Sequence, residues 1–217
     1  MVEKGSPLAA RYVEAKFAAH LERLADPAHR ELPRSFYSGN TSLRAELFRE
    51  AGGFDESFTA YGNEDVELAL RLRAAGASIE YDPLALARQR YEKDLPGLAE
   101  DTFAKGGTTV LLAAAHPGIF GDLRLAEPRE SSRPWLAARA VLLAITRLDR
   151  RVAGAVFAAA SLLERLGLWR APLFYRAVLD YAFWAGVDTG LGDQGEENLR
   201  SLHAELHRGP IDLLLHG

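Results

Sequence analysis

Two adjacent carboxylates, Glu64 and Asp65, lie where the sequence changes from a loop into a helix. Asn63 is a suitable N-cap for a helix that begins at Glu64. A carboxylate at such a position can accept a proton from a hydroxyl group, which is the task of a general base. The dipole and the free N–H groups of a helix N-terminus favour the ionised carboxylate that this task requires. Glu64 and Asp65 are therefore the first candidates for chemistry.

Taken alone, this pair is explained more simply as acidic residues that cap a helix. Two upstream segments favour a site instead: the Gly39-Asn40 pair and the turn at residues 52–56. Tyr61 and Gly62, just before the pair, also fit a binding role. An aromatic face can stack on the apolar side of a pyranose, and a glycine lets a substrate approach the backbone closely. The alternatives are a buried loop tyrosine and an ordinary turn at residues 39–40.

Four short patterns follow one another between residues 36 and 91: Gly-Asn-x-Ser-x-Arg, Gly-Gly-Phe-Asp-Glu, Tyr-Gly-x-Glu-Asp-x-Glu-Leu and Asp-Pro. The ordered set resembles the acceptor-side half of family 2 glycosyltransferases of the GT-A fold, including the related galactosyltransferase C-terminal segment. The resemblance implies transfer of a sugar from a nucleotide sugar to a carbohydrate or lipid-linked acceptor, with inversion of the anomeric centre. It implies that Asp65 is the base, and that substrate contacts come from Gly39, Asn40, Tyr61, Gly62 and Glu64.

Family members also carry a nucleotide-binding half that ends in Asp-x-Asp, which holds a divalent metal against the diphosphate. No Asp-x-Asp occurs in this sequence. The histidine that the family often has after the next strand is replaced by Gln89, and a neutral amide is a poor metal ligand. Arg88 or Arg90 could meet phosphate charge instead. We expect Mg²⁺ or Mn²⁺ in the complete enzyme, and we expect this chain to be a C-terminal portion, either truncated or completed by an N-terminal half on another chain.

The expected fold is α/β. The resemblance implies a partial GT-A (nucleotide-diphospho-sugar transferase) domain that lacks its N-terminal nucleotide-binding half and is followed by a mostly helical tail. The predicted divisions are the domain at 1–115, a linker at 116–133 and the tail at 134–217. Periodicity and glycine stops predict helices at 7–24, 43–51, 64–75 and 95–115, the last with a break at Gly106-Gly107. Extended segments are predicted at 35–38, 77–81 and 84–88, and tail helices at 134–148, 151–166, 172–187 and 196–208.

Composition excludes several classes of protein. The 217 residues are 48% hydrophobic, which predicts a packed core, and the net charge of −4 argues against non-specific nucleic-acid binding. The absence of cysteine excludes a thiolate metal site. No apolar run reaches the roughly 18 residues of a spanning helix. We expect a cytoplasmic protein, with peripheral attachment to the inner face of the plasma membrane as the alternative.

The tail after Trp135 has two apolar segments separated by an arginine-rich stretch at 147–151. A helical hairpin packed on itself or on the main domain is the favoured interpretation. The alternative is an element in a membrane interface, with arginines toward anionic headgroups and with Trp135 and Trp169 at the boundary. Residues 190–195 fit the dinucleotide fingerprint Gly-x-Gly-x-x-Gly, but no strand precedes them, which favours a helix connection.

Two alternatives to an enzyme remain open at this point. Because the donor-binding half is absent, the chain could be a non-catalytic module that binds a glycan or a partner. It could also be a helical adaptor at a membrane surface, in which the Glu-Asp step is only a helix cap. Arg44 and Arg71 are candidate ligands, although solvated helix arginines are the simpler expectation.

Overall fold

The computed structural model describes residues 8–26, 33–126, 132–149, 151–166 and 172–207, with side chains of the last range described for 173–192. The chain divides into two compact units. Unit 1 comprises Met1–Thr59 and Asn63–Asp94, and unit 2 comprises Ala60–Gly62 and Leu95–Gly217.

Unit 1 contains three α-helices: α1 (Leu8–Ala25), α2 (Ala45–Glu50) and α3 (Glu64–Ala74). All three were predicted, with bounds that differ by one or two residues. The apolar side of α3 carries Leu68, Ala69 and Leu72, which are buried and form the core with Phe36. The side chains that pack against this core from the partly buried positions are Leu47, Phe48, Ala51, Ala77 and Ile79.

Helix α3 is closed by Gly76, as its sequence predicts. This glycine has a φ of +87°, a left-handed conformation that costs glycine little. Its N–H donates to the carbonyl of Arg73 at 3.0 Å, and the N–H of Ala77 donates to the carbonyl of Leu72 at 3.0 Å. This pair of bonds is a Schellman motif, which satisfies the last free carbonyls of the helix.

The prediction of an α/β fold is wrong, because none of the residues that the structure describes forms a β-strand. In the segment predicted to extend over 84–88, the N–H of Leu86 donates to the carbonyl of Leu84 at 2.9 Å. The N–H of Ala85 donates to Asp82 at 3.2 Å, so these bonds close local turns. A strand needs a neighbouring strand to receive its hydrogen bonds. Residues 77–81 lack such a ladder as well, and Ser38–Asn40 is a turn of 3-10 helix.

Unit 2 consists mainly of helices α4 (Leu95–Ala115), α5 (Arg133–Leu148), α6 (Arg151–Arg165) and α7 (Pro172–His207). The first three match the predicted helices, although α4 continues through Gly106-Gly107 without the predicted break. Helix α7 joins the two helices predicted at 172–187 and 196–208, and its backbone leaves helical geometry at Gly192. Between α4 and α5, residues 117–126 form two 3-10 segments that bury Phe120 and Leu125.

Glycines let α4 and α7 approach each other closely. A Cβ atom on Gly106 would lie 2.1 Å from the carbonyl oxygen of Phe183, and one on Gly186 would lie 1.9 Å from that of Phe103. A Cβ on Gly190 would lie 2.8 Å from the Cα of Gly107. Atoms that are not bonded do not approach so closely, so these three positions require glycine. The pair predicted to interrupt α4 is therefore part of its packing surface.

A buried carboxylate holds α5 against α7. Asp180 is 6% exposed and accepts hydrogen bonds from the indole N–H of Trp135 at 2.6 Å and from Arg139 at 3.1 Å. Arg124 donates to the same carboxylate, and the Arg139 guanidinium stacks over the ring of Trp184 at 4.8 Å. Trp135 is thus tied into unit 2 through its indole N–H.

Trp169, the other tryptophan proposed for a membrane boundary, is outside the described residues. Among the helices that the structure describes, none has the length and apolar character needed to cross a membrane.

Candidate active site at the first turn of helix α3

Two consecutive left-handed residues form the entrance to α3. Gly62 has a φ of +102° and Asn63 a φ of +70°, conformations that glycine and asparagine tolerate better than other residues. The N–H of Glu67 donates to the carbonyl of Asn63 at 2.9 Å, which closes the first turn. Asn63 is the N-cap by position, but its side chain makes no capping hydrogen bond. Glu64 and Asp65 are the first two residues of the helix, where the sequence predicts them.

The first turn of α3 holds carboxylate oxygens that lack donors. Oε2 of Glu64 and Oδ1 of Asp65 are both buried and have no hydrogen-bond partner within the described part of the chain. A buried acceptor without a donor is destabilising, commonly by about 1–3 kcal/mol, and in native structures it often marks a functional position. A ligand hydroxyl would supply the missing donor.

Glu67, on the same helix, shows the opposite arrangement. It is 2% exposed, and its two carboxylate oxygens accept hydrogen bonds from Nε and Nη2 of Arg71, each at 2.6 Å. Nη2 of Arg71 also donates to the carbonyl of Gly53 at 2.7 Å, and Nη1 donates to that of Ala51. The hydrogen bond to Glu67 raises the pKa of Arg71 above its ordinary value, against the opposing effect of burial.

Arg71 is therefore a structural clamp that ties the end of α2 to α3, and its assignment as a solvated helix arginine is wrong. The Glu67/Arg71 spacing of four residues was the one sequence signal that could have shown the pairing. The clamped carbonyls flank Gly52 and Gly53, whose φ values of +83° and +73° bend the chain between the helices. The Gly-Gly-Phe-Asp-Glu pattern thus has a structural role next to the candidate site.

We expect Arg71→Lys to lower the free energy of unfolding by about 1–2 kcal/mol, because lysine keeps the charge but loses the planar group that reaches Glu67 and two carbonyls together. Urea unfolding followed by circular dichroism measures the change. The matched control is Arg73→Lys on the exposed side of α3, which should change stability by less than about 0.5 kcal/mol. Equal effects of the two variants would contradict the clamp.

The other predicted site residues have the following positions. Asn40 donates its side-chain amide to the carbonyl of Ala85 at 2.8 Å, so it joins the turn at Ser38–Asn40 to the segment after Asp82. Gly39 lies exposed in that turn. Tyr61 is 59% exposed and belongs, like Gly62, to unit 2, directly before Asn63 in the sequence. The convergence of these residues on one substrate stays a prediction.

The residues proposed to meet phosphate or metal lie in an irregular segment. Arg88, Gln89 and Arg90 are exposed, and Arg90 forms an ion pair with Glu92 at 2.9 Å. Within the described ranges, no three histidine, aspartate or glutamate side chains come together in a way that could hold a metal ion. These residues do not fit a metal centre, so no catalytic step through a metal is derived from them.

Comparison with known proteins identifies the relatives of this region. Residues 19–93 match a family model described as the N-terminal domain of galactosyltransferase. A pre-mycofactocin glycosyltransferase of Mycobacterium tuberculosis is 32% identical over 153 residues, which is 65% of this chain. A validoxylamine A glucosyltransferase of Streptomyces hygroscopicus is 41% identical over 93 residues, or 41% of this chain. The chain is related to glycosyltransferases. No solved structure matches it.

These matches confirm the resemblance to glycosyltransferases that was stated from the four sequence patterns. The matched range contains helices α2 and α3, the Arg71 clamp, and Glu64 and Asp65. A chondroitin synthase of Pasteurella multocida shares 33% identity over 79 residues, 36% of this chain. The chain covers 32% of the mycobacterial enzyme, 20% of the Streptomyces enzyme and 8% of the Pasteurella enzyme, so it spans a minor part of each relative.

Proposed function

We propose that this chain provides the acceptor side of an inverting glycosyltransferase, with Asp65 as the general base. The observation that carries the proposal is the buried, unpartnered Oδ1 of Asp65 at the first turn of α3, inside the range that matches a glycosyltransferase family. The substrates would be a nucleotide sugar and a carbohydrate or lipid-linked acceptor.

The proposed step needs one proton acceptor on the protein. The acceptor hydroxyl gives its proton to Asp65 while its oxygen forms a bond to the anomeric carbon of the donor sugar. The bond from that carbon to the diphosphate oxygen breaks, and the nucleoside diphosphate leaves with the bonding electrons. Attack opposite the leaving group inverts the anomeric centre. Oε2 of Glu64 also lacks a donor, and we assign it a hydrogen bond from a second hydroxyl of the acceptor.

The nucleotide-sugar donor would be held largely by groups other than Glu64 and Asp65, which are assigned to the acceptor. The diphosphate of a nucleotide sugar is compensated in such reactions by a cation or by arginines. Arg88 and Arg90 are exposed cations of this chain near Gln89, and we propose them as secondary contacts to phosphate. The proposal also includes Mg²⁺ or Mn²⁺ in the complete enzyme, a second chain that carries the donor half, and a cytoplasmic location.

Product stereochemistry tests the proposal. We expect the full-length protein to convert an α-configured nucleotide sugar into a β-linked product, which proton NMR shows from the anomeric signal of the first product formed. A panel of UDP-, GDP- and dTDP-sugars with simple glycosides as acceptors covers the proposed substrates. A product that retains the donor configuration would rule out the single displacement and with it the role of Asp65 as base.

A further inference from the structure

The outward side of α5 is apolar. Val141, Ile145 and Leu148 are 60%, 43% and 88% exposed, and their spacing of four and three residues places them on one side of the helix. The remaining exposed positions between Arg133 and Arg147 are Pro134, Ala137, Ala138 and Ala144. No charged side chain interrupts this stripe within the helix.

Helix α6 has a similar exposed apolar stripe between Arg151 and Arg165. Leu162, in its last turn, and Leu166, just beyond its end, are 57% and 60% exposed. The other exposed positions between the two arginines are Gly154, Ala155, Ala158 and Ala159. Gly154, Ala158 and Leu162 also line an open pocket with Pro96 and Glu100 of α4. We call the exposed apolar residues of 134–166 the outer surface of α5 and α6.

Two polar side chains in the middle and last turn of α5, Arg139 and Thr146, point inward instead. Arg139 is 8% exposed and bonds to Asp180. Thr146 is 6% exposed, and its hydroxyl lies 2.6 Å from that of Tyr181. Burial raises the pKa of Tyr181, although the bond to Thr146 opposes the shift. A helix at the surface of a water-soluble domain normally has polar residues outside and apolar residues inside. The outer surface is therefore not explained by the core of unit 2.

The charge of this helix pair differs from that of the whole chain. Residues 133–166 contain six arginines and two carboxylates. Arg139 and Arg147 are compensated by Asp180 and Asp188 of α7, so the remaining four arginines and two carboxylates leave an excess of two positive charges. The complete chain has a net charge of −4. The exposed Arg133, Arg151 and Arg165 lie at helix ends, with Arg165 directly before Leu166. Arg147 is paired with Asp188 at 2.7 Å. A second copy of the same surface would bring like charges together, whereas an anionic surface complements them.

We propose that the outer surface of α5 and α6 binds the surface of an anionic lipid membrane. Val141, Ile145, Leu148, Leu162 and Leu166 would enter the boundary between headgroups and acyl chains, as amphipathic interfacial helices do. The arginines at the helix ends would remain at the level of the phosphate groups, where each contributes attraction. The inner sides of both helices stay packed in unit 2 when the outer surface binds lipid. The proposed membrane binding does not depend on the sugar-transfer reaction.

Vesicle sedimentation tests the proposed membrane binding directly. We expect the chain to bind vesicles of phosphatidylglycerol in phosphatidylcholine at least about tenfold more tightly than vesicles of phosphatidylcholine alone. Raising the salt concentration should weaken the binding, because exposed charges are screened over about 10 Å at 0.1 M. Absence of binding to the anionic vesicles at low salt would overturn the proposal.

Two matched pairs of variants separate the apolar and the charged contributions. Val141→Glu with Leu148→Glu should weaken binding about tenfold or more, while Leu84→Glu with Leu86→Glu, at residues 87% and 85% exposed in unit 1, should leave it unchanged. Arg151→Gln with Arg165→Gln should weaken it about tenfold, while Arg49→Gln with Arg73→Gln, on exposed sides of α2 and α3, should not. Equal losses within either pair would overturn the assignment of the surface.

Self-association is the competing outcome. Sedimentation velocity without lipid should show no dimer that Val141→Glu with Leu148→Glu abolishes. A dimer with that sensitivity, together with unchanged vesicle binding of the same variant, would assign the surface to a second copy of the chain. Because all the substituted residues are exposed, circular dichroism and thermal melting should confirm that each variant is folded.

Discussion

Replacement of Asp65 by asparagine is expected to lower kcat for sugar transfer by about 10²-fold or more. Asparagine keeps the shape of the side chain but cannot accept the proton of the acceptor hydroxyl. A loss of this size corresponds to about 2.7 kcal/mol of transition-state stabilisation. The change should appear in kcat measured with the full-length protein at saturating donor and acceptor. Stability should not fall, because Oδ1 of Asp65 has no hydrogen-bond partner to lose among the described residues.

Two further carboxylate variants make the result specific. Glu64→Gln removes a charge from the adjacent position and should raise KM for the acceptor more than it lowers kcat, because Glu64 is assigned to binding. Glu50→Gln changes an exposed carboxylate at the end of α2 and should leave both constants unchanged. If Asp65→Asn retains activity within a few-fold of the natural protein, Asp65 is not the base.

Gly186→Ala is expected to destabilise unit 2 more than any substitution at an exposed position. Its Cβ would lie 1.9 Å from the carbonyl oxygen of Phe103, a backbone atom that cannot turn away as a side chain can. Helices α4 and α7 would have to separate along their glycine contact. Overpacking in a core typically costs about 1–3 kcal/mol and occasionally more, and this overlap should lie at or beyond about 3 kcal/mol.

Differential scanning calorimetry measures the effect as a fall in Tm of at least about 6 °C, since about 1 kcal/mol shifts the Tm of a chain of this size by about 2–4 °C. Gly154→Ala is the matched control, because Gly154 lies in the helix α6 with no neighbouring atom within 4 Å of the added Cβ. Alanine there should raise stability by about 0.5–1 kcal/mol. A Tm for Gly186→Ala equal to that of the natural protein would show that the helices are not held together through this contact.

Helix positions were largely predictable from the sequence because they depend on residues close together in the chain. The apolar spacing of α1, α3, α5 and α6, and the glycine that ends α3, act within one or two helical turns. The placement of Glu64 and Asp65 on the first turn follows from the same local pattern. The glycosyltransferase relationship was also visible in the sequence, because four ordered patterns within 36–91 carry it.

Whether residues 77–81 and 84–88 form strands could not be predicted from the local sequence pattern. Residues 77–81 and 84–88 have apolar residues spaced as in strands, but a strand exists only if another segment accepts its hydrogen bonds. In the described residues the bonds near Ala85 and Leu86 are local turns, and both Leu84 and Leu86 remain exposed. The expectation of α/β structure came from the resemblance and failed at this step.

Contacts between distant residues decided the roles of individual side chains. Arg71 bonds to the carbonyl of Gly53, 18 residues earlier, and Trp135 bonds to Asp180, 45 residues later. Neither partner can be identified from periodicity, because burial and geometry arise only when the helices pack. The sequence determined the helices, the glycosyltransferase relationship and the two candidate carboxylates. Only the tertiary structure decided which charges are paired and which glycines are contacts. It also decided that one carboxylate oxygen of Glu64 and one of Asp65 are buried without donors from the described residues.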